Sequence, residues 1–140
     1  CNYRVYDTRT CRADIASKTY AVTIVSNAGR RVTIRGAGLA GLAAGWFAQG
    51  RIEYGSGLDR RVLFVVESGA AVSTDVSLKV SALPTDEFPL TGTAVAGCDG
   101  KRATCTTKFN NLVNFGGHET PRENLVLKAM PVQTPGGGKK

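Results

Sequence analysis

Four cysteines are the residues of this chain best suited to chemistry: Cys1, Cys11, Cys98 and Cys105. They stand as a C-x9-C pair near the start and a C-x6-C pair roughly 90 residues later. Thiols in such a set can form two disulfides, ligate zinc, hold an iron–sulfur cluster, or simply pack as small buried apolar groups. Two disulfides would suit a secreted protein, and secretion is not the expectation here. Zinc sites usually draw their thiolates from C-x(2–4)-C knuckles, which set sulfurs around one small ion. The wider loops here suit a larger object, such as a [4Fe–4S] cubane whose corner irons each take one thiolate. They match neither common ferredoxin spacing, so spacing alone leaves iron against zinc open.

Helix geometry adds a constraint on the second pair. Seven residues of α-helix advance about 10.5 Å along the axis, too far for two ligands of one cluster. Cys98 is therefore expected in a loop and Cys105 on a short helix over 101–109, with a flexible Gly97, Asp99 and Gly100 breaking regularity between strand and helix. Lys101, Arg102 and Lys108 fall near this site and could offset thiolate charge. Asn110, Asn111 and Asn114 could satisfy backbone groups or cluster sulfurs, or serve only as turn residues.

The elements that must position these residues read as short strands. Residues 18–26 alternate apolar and polar, Asn27 to Arg30 makes a turn, and 31–35 returns as a hairpin arm. Gln49 to Tyr54 and Arg61 to Glu67 read as strands around the turn 55–59. Segments 76–82 and Thr91 to Gly97 are further strands, interrupted by Pro84 to Pro89, and 123–130 is a candidate last strand. Val-, Ala-, Leu- and Ile-rich apolar content with 17 glycines favours strands and tight turns over a helical bundle. The expected fold is mainly β, a small barrel or roll of antiparallel strands with one short helix near Cys105. The expected organisation is a single domain over 1–134 and a flexible tail over 135–140. Because the chain opens at Cys1 without an initiator Met, a further domain is expected ahead of it.

Two features carry less than they promise. Gly36-Ala37-Gly38-Leu39-Ala40-Gly41 matches G-x-G-x-x-G, and Glu53 follows at a tempting distance. Yet Gly45 leaves little room for the helix that a dinucleotide site needs, and hairpins replace the βαβ unit. A small-residue turn leading into a packed Trp46 and Phe47 is the expectation. The formal net charge of +7 raises nucleic-acid binding. The basic residues are scattered, however, and no stretch interleaves them with aromatics as a stacking groove would. No run of about 18 apolar residues could span a bilayer.

Three blocks of sequence carry a family resemblance: Cys1-Asn-Tyr-Arg-Val-Tyr-Asp-Thr-Arg-Thr-Cys11, Ala43-Ala-Gly-Trp-Phe-Ala-Gln-Gly50, and Gly97-Cys98-Asp-Gly-Lys-Arg-Ala-Thr-Cys105 through Phe109-Asn110 to Asn114-Phe115-Gly116-Gly117. In this order they resemble the C-terminal domain of tail-tip hub proteins of siphophages and gene transfer agents, relatives of the lambda tail-tip protein L. The resemblance runs from residue 1 to about 118. Relatives tend to carry Phe where Arg102 or Ala103 stands, and an aromatic and proline where His118-Glu119 stands. The resemblance implies a β-rich domain closing over a [4Fe–4S] cluster held by Cys1, Cys11, Cys98 and Cys105; Asn110 and Asn114 are expected around it on their chemistry alone. With four thiolates filling the corners, His118, the single histidine, is expected to be an exposed loop residue.

The implied role is structural and not enzymatic: a virion component at the tail tip or baseplate hub, assembled in the host cytoplasm. The implied partners are the distal tail protein, the central fibre or tip protein and the tape measure. Copies would form a ring, threefold among the arrangements allowed, with nucleic acid met only as it passes the channel. The competing expectation is a zinc-stapled nucleic-acid-binding module.

Overall fold

In this computed structural model the described residues are 6, 9, 11–82 and 88–115. Six strands form a closed barrel: β1 (Thr19–Ala28), β2 (Arg31–Arg35), β3 (Arg51–Tyr54), β4 (Arg61–Ser68), β5 (Asp75–Val80) and β6 (Leu90–Val95), ordered β1-β2-β5-β4-β3-β6. Every pairing is antiparallel, and β6 returns to β1 to close the wall. Closure leaves none of these six strands as a free sheet edge. Among the described residues the expected β barrel with one short helix, α1 (Arg102–Thr107), is what forms. The strand expected over 123–130 and the tail over 135–140 lie outside the described residues, as do Cys1 and His118.

Alternation decides which side chains fill the barrel. Val32 and Ile34 of β2, Ile52 and Tyr54 of β3, Leu63 and Val65 of β4, and Val76, Leu78 and Val80 of β5 point inward and are buried. The β1–β2 hairpin closes with two residues, since Ala28 pairs Arg31. Gly29 stands at φ 61° in its first position, a conformation that a side chain would disfavour. Register shifts at Ile24/Ser26 and Val65/Glu67 add the local twist that a small barrel needs. On the outer wall Arg35 pairs Asp75 across the β2–β5 register, a bidentate contact at 2.7 Å.

The Gly-rich stretch after β2 is not a nucleotide loop. It holds one 3-10 turn at Ala37–Leu39, then a chain of turns that drops Leu39 and Phe47 fully buried into the barrel's core. Phe47 meets Tyr20 edge-on, with centroids 5.5 Å apart. Trp46 is half-buried beside them, its Nε1 donating to the Tyr20 hydroxyl at 3.1 Å. Glu53 accepts from Arg51 and Arg60 on the outer wall. β3 begins at Arg51 and not at Gln49, because Gln49 sits at φ 61° and cannot extend the strand. Among the described residues no helix is long and apolar enough to cross a membrane.

Candidate metal centre

The residues between β6 and α1 leave the barrel under tight control. A Cβ on Gly97 would stand 1.9 Å from the Ala48 carbonyl oxygen, and one on Gly50 would stand 2.2 Å from that of Val95. Gly97 is thus required for a close backbone crossing, which corrects the expectation of a flexible residue before Cys98. The crossing fixes where the Cys98 loop departs. Gly100 then turns at φ 73°, and α1 opens at Arg102.

Cys98 is half-buried in this loop and Cys105 is buried on α1, the loop-then-helix placement expected from the sequence. Cys11, on the N-terminal segment before β1, is buried as well. Asn111 links two of them. Its Nδ2 donates to the Cys11 carbonyl and lies 3.8 Å from Cys11 Sγ, while its own carbonyl accepts from Cys105 Sγ at 3.1 Å. Its amide N–H also bonds the Cys105 carbonyl at 3.0 Å. Asn114 Nδ2 donates to Asn111 Oδ1 at 2.7 Å, which turns the Asn111 amide so that its NH2 faces Cys11. Asn110, at φ 46°, turns the chain out of the helix. The asparagine touching the cysteines is therefore Asn111, with Asn114 one bond behind it.

A second tie comes from Tyr6, which the sequence reading passed over. Its hydroxyl donates to the Ala96 carbonyl at 2.6 Å, and its ring meets Phe109 edge-on at 5.9 Å. Burial pushes the phenol well above its ordinary value, with Arg51 opposing. Burial likewise pushes the Cys105 thiol up, and the charges of Cys11 and Cys98 add to that shift. The signal of Tyr6 in the sequence was an aromatic between the first two cysteines, which alone says little.

Of the three basic residues expected near the site, Lys101 and Arg102 lie exposed on the rim. Lys108 is buried, 9% exposed, one helical turn beyond Cys105. Its ammonium lies 5.2 Å from the Trp46 ring centre and 5.5 Å from that of Phe109. It also donates to the carbonyls of Trp46 and Gly97. Burial pulls it down to about 8, against the opposing charges of Cys98 and Asp99. It forms one wall of a cleft of about 470 Å³ that Trp46, Ala48, Gly97, Asp99 and Thr104 also line.

The polar contacts of the three described cysteines differ: Cys105 is held as a thiol that donates to the Asn111 carbonyl, whereas the other two sulfurs face N–H groups. Cys98 Sγ accepts the Gly100 N–H at 3.4 Å, and Cys11 Sγ faces the Asn111 amide. Among the described residues no three His, Cys, Asp or Glu side chains are grouped to hold a metal ion.

Comparison with known proteins gives two findings. A solved chain from the "Virion of native gene transfer agent (GTA) particle" has a similar fold, with a TM-score of 0.70 at 23% identity. The match covers all of this chain and 49% of that one, so this chain spans about half the length of the virion protein. No curated protein matches. Residues 45–124, more than half of the chain and including Cys98 and Cys105, match the family model described as "Phage conserved hypothetical protein BR0599". The chain belongs to that phage protein family.

Proposed function

We propose that this chain is a structural component of a phage or phage-like virion, placed at the tail tip or baseplate hub. In this reading a [4Fe–4S] cluster held by Cys1, Cys11, Cys98 and Cys105 staples it. What supports the staple is that Cys11 and Cys105 are both tied to Asn111, while Cys98 stands in the loop that leads into the helix carrying Cys105. Membership of a phage family and the fold shared with a gene-transfer-agent virion chain support the particle setting.

A cluster supplies a cross-link between distant parts of the chain, and metal binding that exists only in the folded state is folding free energy. The chain's own residues do the rest. Asn111 and Tyr6 fasten the N-terminal segment, Gly97 and Gly50 seat the Cys98 loop, and α1 presents Cys105. The reading includes no reaction step.

The outer wall also supports assembly. Val62, Phe64 and Val66 alternate outward on β4 and are 41%, 62% and 50% exposed, a contiguous apolar stripe of the kind that packs against neighbours. Partners in this reading are the distal tail protein, the central fibre and the tape measure, with copies of the chain forming a ring. Immunogold labelling of particles carrying an epitope-tagged chain tests it. Label at the far end of the tail supports the hub, whereas label on the head, or none on purified particles, refutes it.

A further inference from the structure

Lys108 is a buried cation whose two hydrogen-bond acceptors are both main-chain carbonyls, those of Gly97 and Trp46. Burying an ammonium carries a large desolvation cost unless its hydrogen bonds are met and opposite charge stands near. Carbonyl dipoles, the faces of Trp46 and Phe109, and the nearby carboxylate of Asp99 supply that compensation. The placement is specific. Gly97 is the residue immediately before Cys98, Trp46 belongs to the turn chain packed into the barrel, and Lys108 itself lies three residues after Cys105.

We infer that Lys108 is a positioning residue that clasps the Cys98 loop to the barrel and to α1, and so sets the place of Cys98 relative to Cys105. Gly97 and Gly50 let the two backbones approach, and the ammonium locks the approach from the helix side. Asp99 is turned away to its own loop, its Oδ1 accepting the Lys101 N–H at 3.0 Å, so the Lys108 link to this loop runs through the backbone. The importance of Cys98 rests on the four-cysteine reading. The clasp itself rests on geometry that needs no metal.

The test uses the reduced, metal-free full chain as wild type, Lys108→Met and Lys108→Arg. Two quantities are followed: alkylation of each cysteine by iodoacetamide, resolved by peptide mass spectrometry, and emission of Trp46, the single tryptophan. Lys108→Met is expected to raise the Cys98 rate about tenfold, the release that follows loss of a hydrogen bond from a charged donor. Cys105 should keep its slow rate, Trp46 emission should shift to the red, and Lys108→Arg should recover part of both. An unchanged Cys98 rate per thiolate, taken from the pH profile of alkylation in Lys108→Met, overturns the clasp. An equal rise at Cys98 and Cys105 also overturns it, because that is general loosening. Iron content of the wild type is read separately: selective release of Cys98 from a chain that never binds iron upholds the clasp and removes the cluster.

Discussion

The Cys105 thiol donates to the Asn111 carbonyl at 3.1 Å while the Asn111 amide N–H donates to the Cys105 carbonyl at 3.0 Å, so the two residues hold each other through main chain and side chain together. From that fixed position the Asn111 side chain reaches 100 residues back along the sequence to Cys11. Asn111→Ala keeps the Cys105 bonds, which use the Asn111 main chain, and leaves the buried Cys11 carbonyl without its donor. Loss of a buried hydrogen-bond partner costs about 1–3 kcal/mol. The urea midpoint should fall accordingly, and Asn111→Asp, which turns an acceptor toward that carbonyl, should fall further.

Phe47 tests whether the turn chain 36–50 is part of the core or an appendage. The ring is fully buried inside the barrel against Tyr20. Phe47→Ala should cost about 3–5 kcal/mol, as large-to-small changes at closed core sites do. A loss below about 1 kcal/mol in chemical denaturation, the range of a surface change, would show that the barrel closes without this plug.

Gly97→Ala separates close packing from flexibility. The added methyl would meet the Ala48 carbonyl oxygen at 1.9 Å, a main-chain contact that cannot swing aside. Stability should drop by at least about 1–3 kcal/mol, the usual penalty of overpacking. Thermal unfolding of this variant beside wild type checks it. Little or no loss would mean that the crossing under Cys98 is loose.

Acid sensitivity should reside in Glu53. The hydrogen bond from Arg51 holds its carboxyl below the ordinary 4.5, with Arg60 adding to the effect and burial opposing it. A carboxylate whose folded pKa is depressed contributes stability that is fully present above its unfolded pKa and is lost as pH falls through the folded one. Wild type should therefore weaken as pH drops below about 4.5. In Glu53→Gln this part of the decline should be absent, with lower stability than wild type at neutral pH. Parallel urea midpoints for the two proteins from neutral pH down to 3 would contradict the assignment.

Much of this arrangement could be read from residues. The alternation in 31–35 and 61–67 marks barrel strands because inward and outward positions differ so sharply in polarity. If Cys98 and Cys105 are to ligate one cluster, their seven-residue gap calls for a loop followed by a helix, and α1 does begin only at Arg102. What escaped were contacts between segments distant in sequence. Asn111 reaches Cys11, Tyr6 reaches Ala96, and Lys108 reaches Gly97 and Trp46; each is a polar group whose partner is a main-chain atom, and main-chain atoms leave no signature in composition. Gly97 shows the same blindness: a glycine before a loop reads as freedom, and only the Ala48 carbonyl beside it reveals the need for close approach.

The staple is tested most directly by counting metal. Protein prepared without oxygen and analysed for iron, zinc and chain concentration should carry about four irons per chain and absorb broadly near roughly 400 nm, with Cys11→Ser and Cys105→Ser colourless. Stoichiometric zinc without iron, or a metal-free chain as stable as its cysteine-to-serine variants, would contradict the account.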